Sequence, residues 1–280
     1  MRAWMNGELL PDATAPALLV TDHGLTVGDG VFEAVKVVDG LPFALDLHLA
    51  RLQRSVDGLG LAGVDLDDVR RGVSAVLEGA DLPLGRLRIT VTGGPAPMGS
   101  GRGDASPTVI VVADVLKRWP ETTAVVTVPW PRNERGALAG LKTTSYAENV
   151  IALAAAQRQG ATEAIFANLA GHLCEGTGSN VFYVVDGELR TPTLASGCLA
   201  GVTRGLVLEW CGGREVDEPI EVVDAASEVF LVSTTRDVQA VARWNGRELP
   251  APGPVTADVA ALWRRREPEL LGPSTGSASR

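Results

Sequence analysis

Asn6-Gly7, Asp39-Gly40, Asp186-Gly187 and Asn245-Gly246 each stand between short apolar-rich runs, and these four turn signals constrain the fold more than anything else in the chain. A two-residue hairpin needs positive φ at its central residues, and Asn-Gly and Asp-Gly adopt it with little strain. Hairpins join antiparallel strands. They fall in both halves of a 280-residue chain, which is long enough for two modest domains or one large one.

Helical spacing appears between them. Leu45, Leu49, Leu52, Val56 and Leu59 recur on one helix face, and Asp46 occupies an N-cap position. A second helix is predicted over 65–79, a third from 145 to about 159, and a fourth in the segment "GVTRGLVLEW". Strands are predicted in "RLRITVTGG", "TVIVVADVL", "AVVTVPW", "EAIFAN" and "EVFLVST". Many hairpins and few clean βαβ units point to α+β, not to a doubly wound sheet. The polar, proline-bearing "KRWPETT" separates two β-rich runs. The predicted organisation is a smaller N-terminal domain over 1–115, a linker over 116–123, a larger domain over 124–266 and a disordered tail over 267–280.

The balance of charge excludes some partners. With a net charge of −9 and no basic stripe, nothing suits a nucleic-acid backbone. "WRRREPEL" reads as a solvated helix end. Three cysteines make no disulfide framework, no run of about 18 apolar residues spans a membrane, and "MRAWMNGELL" has no secretory core. A cytoplasmic protein is the expectation. His23, His48 and His172 lie far apart and read as turn or packing residues, so no metal is assigned. "GGPAPMGSGRG" has neither the G-K-[ST] ending of a P-loop nor dinucleotide-fold spacing.

One cation asks for an explanation. Lys142 stands second in "LKTTSYAENV", a segment short of charge, three residues before a helix start capped by the box Ser145-x-x-Glu148. A helix N-terminus repels a cation and lowers its pKa, and apolar neighbours add to this. Such a lysine is a nucleophilic amine able to form a Schiff base with an aldehyde, although a lysine lying over Leu141 at the surface has the same local pattern. Ser145 reads as the cap, not as the nucleophile of a Ser–Lys hydrolase. Elsewhere, Glu175 stands in a Gly/Ser/Thr-rich turn before an apolar strand, and Gly201, Val202 and Thr203 open a helix whose N–H groups make a phosphate cradle. Thr234 adds a hydroxyl at a strand end, and Arg51 lies on the first helix. A lysine, a carboxylate, an arginine and a phosphate-binding helix start suit pyridoxal 5′-phosphate.

These segments carry a resemblance. "DHGLTVGDGVFEAVKV", "LDLHLARL", "LKTTSYAENV", "GATEAIFANLAGHLCEGTGSNVF", "LRTPTLASGCLAGVTRG" and "VFLVSTT", in this order, are similar to the class IV aminotransferases, the fold-type IV pyridoxal-phosphate enzymes. The resemblance implies two α/β domains with the cofactor between them, and a homodimer. It implies that Lys142 carries the cofactor aldehyde and that Glu175 bonds the pyridine nitrogen. Arg51, Val202, Thr203 and Thr234 match the phosphate ligands, and Asn180 supports the ring-binding loop. Tyr146 lies near the place of a phenol at the ring hydroxyl, at an offset from the lysine that differs from the family's. Specificity is assigned to the strand "GVFEAVKV" and the loop "GGPAPMGSGRG", with Phe32, Lys36, Gly93 and Arg102 as substrate residues. Glu33 and Lys36, three apart on that strand, face opposite sides.

The reaction is less constrained. D-amino-acid transaminases of the family carry an Arg-x-His pair in the second loop, and this chain has only Arg102 there. "DHG", "LDLHLARL" and "GSGRG" favour 4-amino-4-deoxychorismate lyase, which releases pyruvate and p-aminobenzoate, a folate precursor. The alternatives are a transaminase of D-amino or branched-chain amino acids, and a cofactor-binding or dimeric scaffold without chemistry.

Overall fold

The computed structural model describes residues 1–272. The chain forms two compact units, each built from separate stretches of sequence. Among the described residues the first comprises Met1–Lys117, Leu141–Ser145 and Glu269–Gly272; the second comprises Arg118–Gly140 and Tyr146–Pro268.

In the first unit β1 (Arg2–Met5) and β2 (Glu8–Leu9) flank the Asn6-Gly7 turn, and a short helix α1 covers His23–Thr26. β3 (Gly30–Val38) and β4 (Leu41–Pro42) flank Asp39-Gly40 and precede α2 (Leu45–Leu59) and α3 (Leu66–Leu77). β5 (Leu84–Thr92) and β6 (Thr108–Val115) complete a six-stranded sheet of order β2-β1-β6-β5-β3-β4, with every pair antiparallel. Alternation sets its faces. Val31, Val35 and Val37 of β3 and Leu87, Ile89 and Val91 of β5 pack with Leu45, Leu49, Leu52 and Val56 of α2 and Val69, Val73 and Val76 of α3. Phe32, Ala34 and Lys36 of β3 and Arg86, Arg88 and Thr90 of β5 therefore stand on the opposite face.

The second unit holds β7 (Thr122–Thr127), α4 (Ala147–Arg158), β8 (Glu163–Ala167) and β9 (Leu173–Gly176). β10 (Asn180–Val185) and β11 (Glu188–Thr191) form the Asp186-Gly187 hairpin, followed by α5 (Val202–Cys211) and β12 (Arg214–Glu215). β13 (Glu228–Ser233), β14 (Asp237–Trp244) and β15 (Arg247–Glu248) precede α6 (Pro254–Arg266). The nine strands form one mixed sheet, with parallel pairing of β14 to β7 and of β7 to β8. Val181, Tyr183, Val229, Leu231 and Val241 belong to its buried core.

Several boundaries depart from expectation. α2 starts at Leu45 behind a left-handed Ala44, so Asp46 lies in the first turn, where a carboxylate favours the helix dipole, and is not the cap. α4 starts at Ala147 with Tyr146 at the N-cap and no capping side chain. Ser145 instead donates to the Gly28 carbonyl (3.1 Å), so the predicted capping box does not form. Residues 267–272, placed in a disordered tail by the sequence, include a 3-10 turn over Glu267–Leu270 and a bridge from Leu271 to Phe43. The remainder of that predicted tail, 273–280, lies outside the described residues. Lys142, placed with the C-terminal domain, belongs to the first unit, because Leu141–Ser145 docks onto β3.

Candidate functional site

The docking is a short antiparallel rung. Phe32 donates its N–H to the Lys142 carbonyl (2.9 Å), Thr144 donates to the Gly30 carbonyl (2.8 Å), and Val31 bridges Thr143. The Lys142 N–H donates to Ser55 Oγ of α2 (3.2 Å). Gly30 is required here: a Cβ would sit 2.8 Å from the Val91 carbonyl and 3.0 Å from Thr144 Oγ1. This rung fixes the lysine backbone and leaves its side chain to run over β3. Its Nζ lies 4.3 Å from the centroid of the Phe32 ring. Lys142 is only half-buried, so its stem covers an aromatic surface that is itself almost fully buried.

Beneath that surface lies a buried ionic cluster. Arg51 grips Glu33 with two N–H donors, Nε to Oε1 (2.7 Å) and Nη2 to Oε2 (2.6 Å), while His48 Nδ1 lies 2.8 Å from Oε2. Burial alone would raise the Glu33 carboxyl; the charge and hydrogen bonds of Arg51, with the bond from His48, overturn this and bring it to about 2. Burial lowers the pKa of His48, opposed by Glu33 and reinforced by the charges of Arg51 and Lys142. The imidazole is thus neutral and its Nδ1–H donates to Glu33. Lys36, on the opposite face of β3, is also buried, with Nζ 5.6 Å from the centroid of the Phe43 ring.

The loop after β5 is held from Asp29. Arg102 Nε and Nη2 each donate to an Asp29 oxygen at 2.7 Å, and Nη1 and Nη2 donate to the Gly60 and Leu59 carbonyls. His23 adds Nδ1 to Asp29 (3.1 Å) and Nε2 to the Gly99 carbonyl (2.9 Å). Gly93 lies against the same carboxylate, which a Cβ would approach to 2.5 Å. All three guanidinium nitrogens of Arg102 are engaged, so the arginine assigned to substrate acts as a loop clamp. The hydrogen bond from Arg102 holds the Asp29 carboxyl below its usual range, against partial burial and with help from His23. The clamp's contribution is complete above the ordinary aspartate pKa and is lost as pH falls through the lowered value. Asp29→Ala is expected to speed tryptic cleavage after Arg102 by about tenfold, the equivalent of one lost charged hydrogen bond; an unchanged cleavage rate would remove the clamp.

The second unit gathers a separate set. Glu175, at the end of β9, has Oε1 3.2 Å from Arg132 Nε and accepts the Leu199 N–H at Oε2 (2.9 Å). Asn180 Nδ2 donates to the Leu199 carbonyl (2.9 Å). The peptide groups of Leu199 therefore tie the acid and Asn180 to the turn that opens α5. Gly201 is the N-cap, and a Cβ there would collide with the Asn180 side chain. Thr203, in the first turn, is 2% exposed, and its Oγ1 has no hydrogen-bond partner among the described residues. A buried hydroxyl beside the open N–H groups of a helix start calls for an anion. Thr234 is buried at the β13–β14 turn, and Tyr146 is half-buried at the start of α4.

Sequence reasoning missed three residues that build this part. Arg132, whose charge lies beside Glu175, donates to Asn149 (2.8 Å) and lies 4.1 Å from the Phe166 ring. Glu163, 1% exposed, accepts from the Thr177 N–H (3.0 Å) and hydroxyl and from Ser179 Oγ (3.2 Å), which shapes the turn between Glu175 and Asn180. Arg236 pairs with Glu163 at 3.2 Å and lies 3.8 Å from the Trp119 ring. The only signal available was that "GATEAIF" places an acid inside an apolar run.

The chain matches known proteins over most of its length. The family model "Amino-transferase class IV" matches residues 30–244. A putative branched-chain-amino-acid aminotransferase of Methanocaldococcus jannaschii is 31% identical over 88% of this chain and 89% of its own. An aminodeoxychorismate lyase of Bacillus subtilis is 30% identical over 74% of this chain and 72% of its own. Among solved structures, a hypothetical aminotransferase from Mycobacterium tuberculosis in PLP-bound form is 26% identical, with a TM-score of 0.84 over 95% of this chain and 99% of that one.

Proposed function

Because the chain belongs to the class IV aminotransferase family, we propose that it is a pyridoxal-phosphate enzyme that transfers the amino group of a small amino acid. The observation that carries the reading is Lys142, whose backbone is fixed on β3 and whose amine lies over a buried aromatic ring. The proposed cofactor ligands are Lys142, Arg51, Glu175, Asn180, Val202, Thr203 and Thr234, with Tyr146 near the ring hydroxyl. The Thr203 hydroxyl at the start of α5, without a hydrogen-bond partner among the described residues, fits a phosphate, as does the N-cap Gly201, which adds no side-chain cap. Bound there, the cofactor supplies an electron sink for a carbanion.

The chain's own groups do the rest. The Leu199 N–H donates to the Glu175 carboxylate and the Arg132 charge lies beside it, which keeps it ionised and ready to accept a pyridinium N–H. Glu33 and His48 hold Arg51 in place. The Lys142 amine would serve as the base that takes the proton from the substrate carbon next to nitrogen.

The aminotransferase reading is supported by the breadth of the Methanocaldococcus match and by Arg102, whose engagement with Asp29 takes away the loop feature that favoured the lyase. The lyase is the second reading, supported by the Bacillus subtilis relative. The purified protein should be yellow and be bleached by borohydride. D-alanine or L-leucine with 2-oxoglutarate should yield glutamate. Turnover of aminodeoxychorismate alone, with pyruvate and p-aminobenzoate as products, would replace the first reading by the second; a colourless protein that gains no absorbance with pyridoxal phosphate would remove both.

A homodimer acting in the cytoplasm belongs to the same proposal. Leu18, Leu19, Val20, Leu25 and Val27 are exposed in the first unit, an apolar stretch that suits a second copy. Light scattering at micromolar concentration should give twice the chain mass. Among the described residues no helix is long and apolar enough to cross a membrane.

A further inference from the structure

Two turns of the second unit share one buried carboxylate. The first turn joins β9 to β10 and lies between Glu175 and Asn180; the second joins β13 to β14 and carries Thr234. Asn180 stands opposite Val232 in the β10–β13 ladder, so both turns meet the sheet at the same end. Glu163 Oε1 accepts the Thr177 N–H (3.0 Å) and the Thr177 hydroxyl, and Oε2 accepts Ser179 Oγ (3.2 Å). Asn149 Nδ2 donates to the Thr177 carbonyl (2.8 Å), so Thr177 is held at its N–H, its hydroxyl and its carbonyl. Gly176 leaves room for the acid: a Cβ there would lie 3.2 Å from Glu163 Cδ and 2.5 Å from Ser179 Oγ.

Arg236 carries the tie to the second turn. Its N–H donates to the Ser233 carbonyl (3.1 Å), which closes that turn around Thr234. Its guanidinium reaches back over the Trp119 ring, donates from Nη1 to Gln239 Oε1, and donates from Nη2 to Glu163 Oε2 (3.2 Å). Burial lowers the pKa of this guanidinium, and the Glu163 charge opposes that. A buried ion pair of this kind adds little stability over well-packed apolar side chains. Its use is to fix geometry: one carboxylate, on a strand between two others, takes four hydrogen bonds from two turns that are 57 positions apart at Thr177 and Thr234.

We propose that Glu163 is a positioning residue that fixes the span between Glu175 and the Thr234 turn, so that the ring end and the phosphate end of the cofactor are bound as one unit. The inference rests on the reading of Glu175 and Thr234 as cofactor ligands. Pyridoxal 5′-phosphate holds its ring nitrogen and its phosphate at a nearly fixed separation. Where both sets of ligands are tied to one point, binding at one end presents the other end already in place, and the two contributions combine. Where the turns move independently, part of the binding free energy is lost to ordering them. Glu163 and Arg236 touch neither end of the cofactor in this reading; they act through the turns.

The test compares the wild type with Glu163→Gln, Arg236→Met and the double variant. Cofactor-free protein is titrated by absorbance with pyridoxal 5′-phosphate and with pyridoxal, which lacks the phosphate, and urea denaturation of the same samples gives stability. The ratio of the two affinities measures how well the ends cooperate. It should fall about tenfold in each single variant, the lower range for one charged hydrogen bond. Glu163→Gln should also lower the urea midpoint, because it strands the Arg236 charge, and the double variant should regain that midpoint. The affinity ratio should stay low in the double variant, since the tie between the turns is still missing. This separates positioning from stability. If Glu163→Gln does not fold, Arg236→Met, which leaves the first turn bonded to Glu163, is read alone. A folded variant with the wild-type ratio, or a double variant that regains ratio and midpoint together, overturns the assignment of Glu163. A wild type that stays colourless with pyridoxal 5′-phosphate overturns the cofactor reading and this inference with it.

Discussion

Replacing Lys142 with alanine is expected to cut turnover by about 10^4-fold, the upper range for loss of a positioned proton-transfer group. The fold should survive. The segment is held by the Phe32 and Thr144 N–H bonds to its strand partners and by the Lys142 N–H on Ser55, and alanine keeps all of them. Circular dichroism and thermal melting should therefore match the wild type closely, while the yellow, borohydride-sensitive absorbance disappears. Lys142→Arg separates charge from chemistry. It keeps a cation over Phe32 but has no amine that can be deprotonated, so it should be as inactive as alanine. Turnover within tenfold of wild type in either variant would end the assignment of this residue, whatever the reaction proves to be.

The largest effect on stability is expected at Glu33. Arg51 is 5% exposed, and Glu33 and His48 are fully buried. Glu33→Ala strands the guanidinium charge without its acceptor and should cost about 3–5 kcal/mol, measured by urea denaturation of the cofactor-free protein. Adding Arg51→Met should recover much of that loss, because the double variant buries no unpaired charge. A double variant less stable than Glu33→Ala would show that the cluster is not the source. The cluster also has a pH signature. Its carboxyl titrates near 2 in the folded chain, against about 4.3 when unfolded. The stabilisation is therefore fully present above the unfolded value and is lost as pH falls towards 2. Acid unfolding should shift to higher pH in Glu33→Gln, which retains shape but lacks the charge. This experiment also bears on function, since Arg51 carries the phosphate in the proposed site and owes its orientation to Glu33.

The hairpins were legible because the residues that determine them are adjacent. Asn6-Gly7, Asp39-Gly40, Asp186-Gly187 and Asn245-Gly246 all form turns with positive φ at both residues. The start of α4 was misread because Ser145 had a competing acceptor 117 residues away, the Gly28 carbonyl, which no local pattern reveals. Helix α2 starts two residues before the point its cap signal gave for a similar reason: Ala44 adopts a left-handed conformation where its N–H bonds the distant Leu270 carbonyl. The candidate residues themselves were named from a family resemblance. What spacing could not supply was their support. Glu33 and His48 reach Arg51 only because β3 and α2 face each other in one core. Arg132 reaches Glu175 from 43 positions earlier in the chain.

The route of the backbone through the two units has a consequence for inheritance and for engineering. The five residues 141–145 belong to the first unit although the chain on both sides of them belongs to the second, and residues 269–272 return to the first. No single cut yields either unit whole, so neither can be transplanted by joining gene fragments end to end. Each half must change in step with the other, and recombination with a relative should preserve function only when the crossover leaves the lysine segment with the strand it docks on.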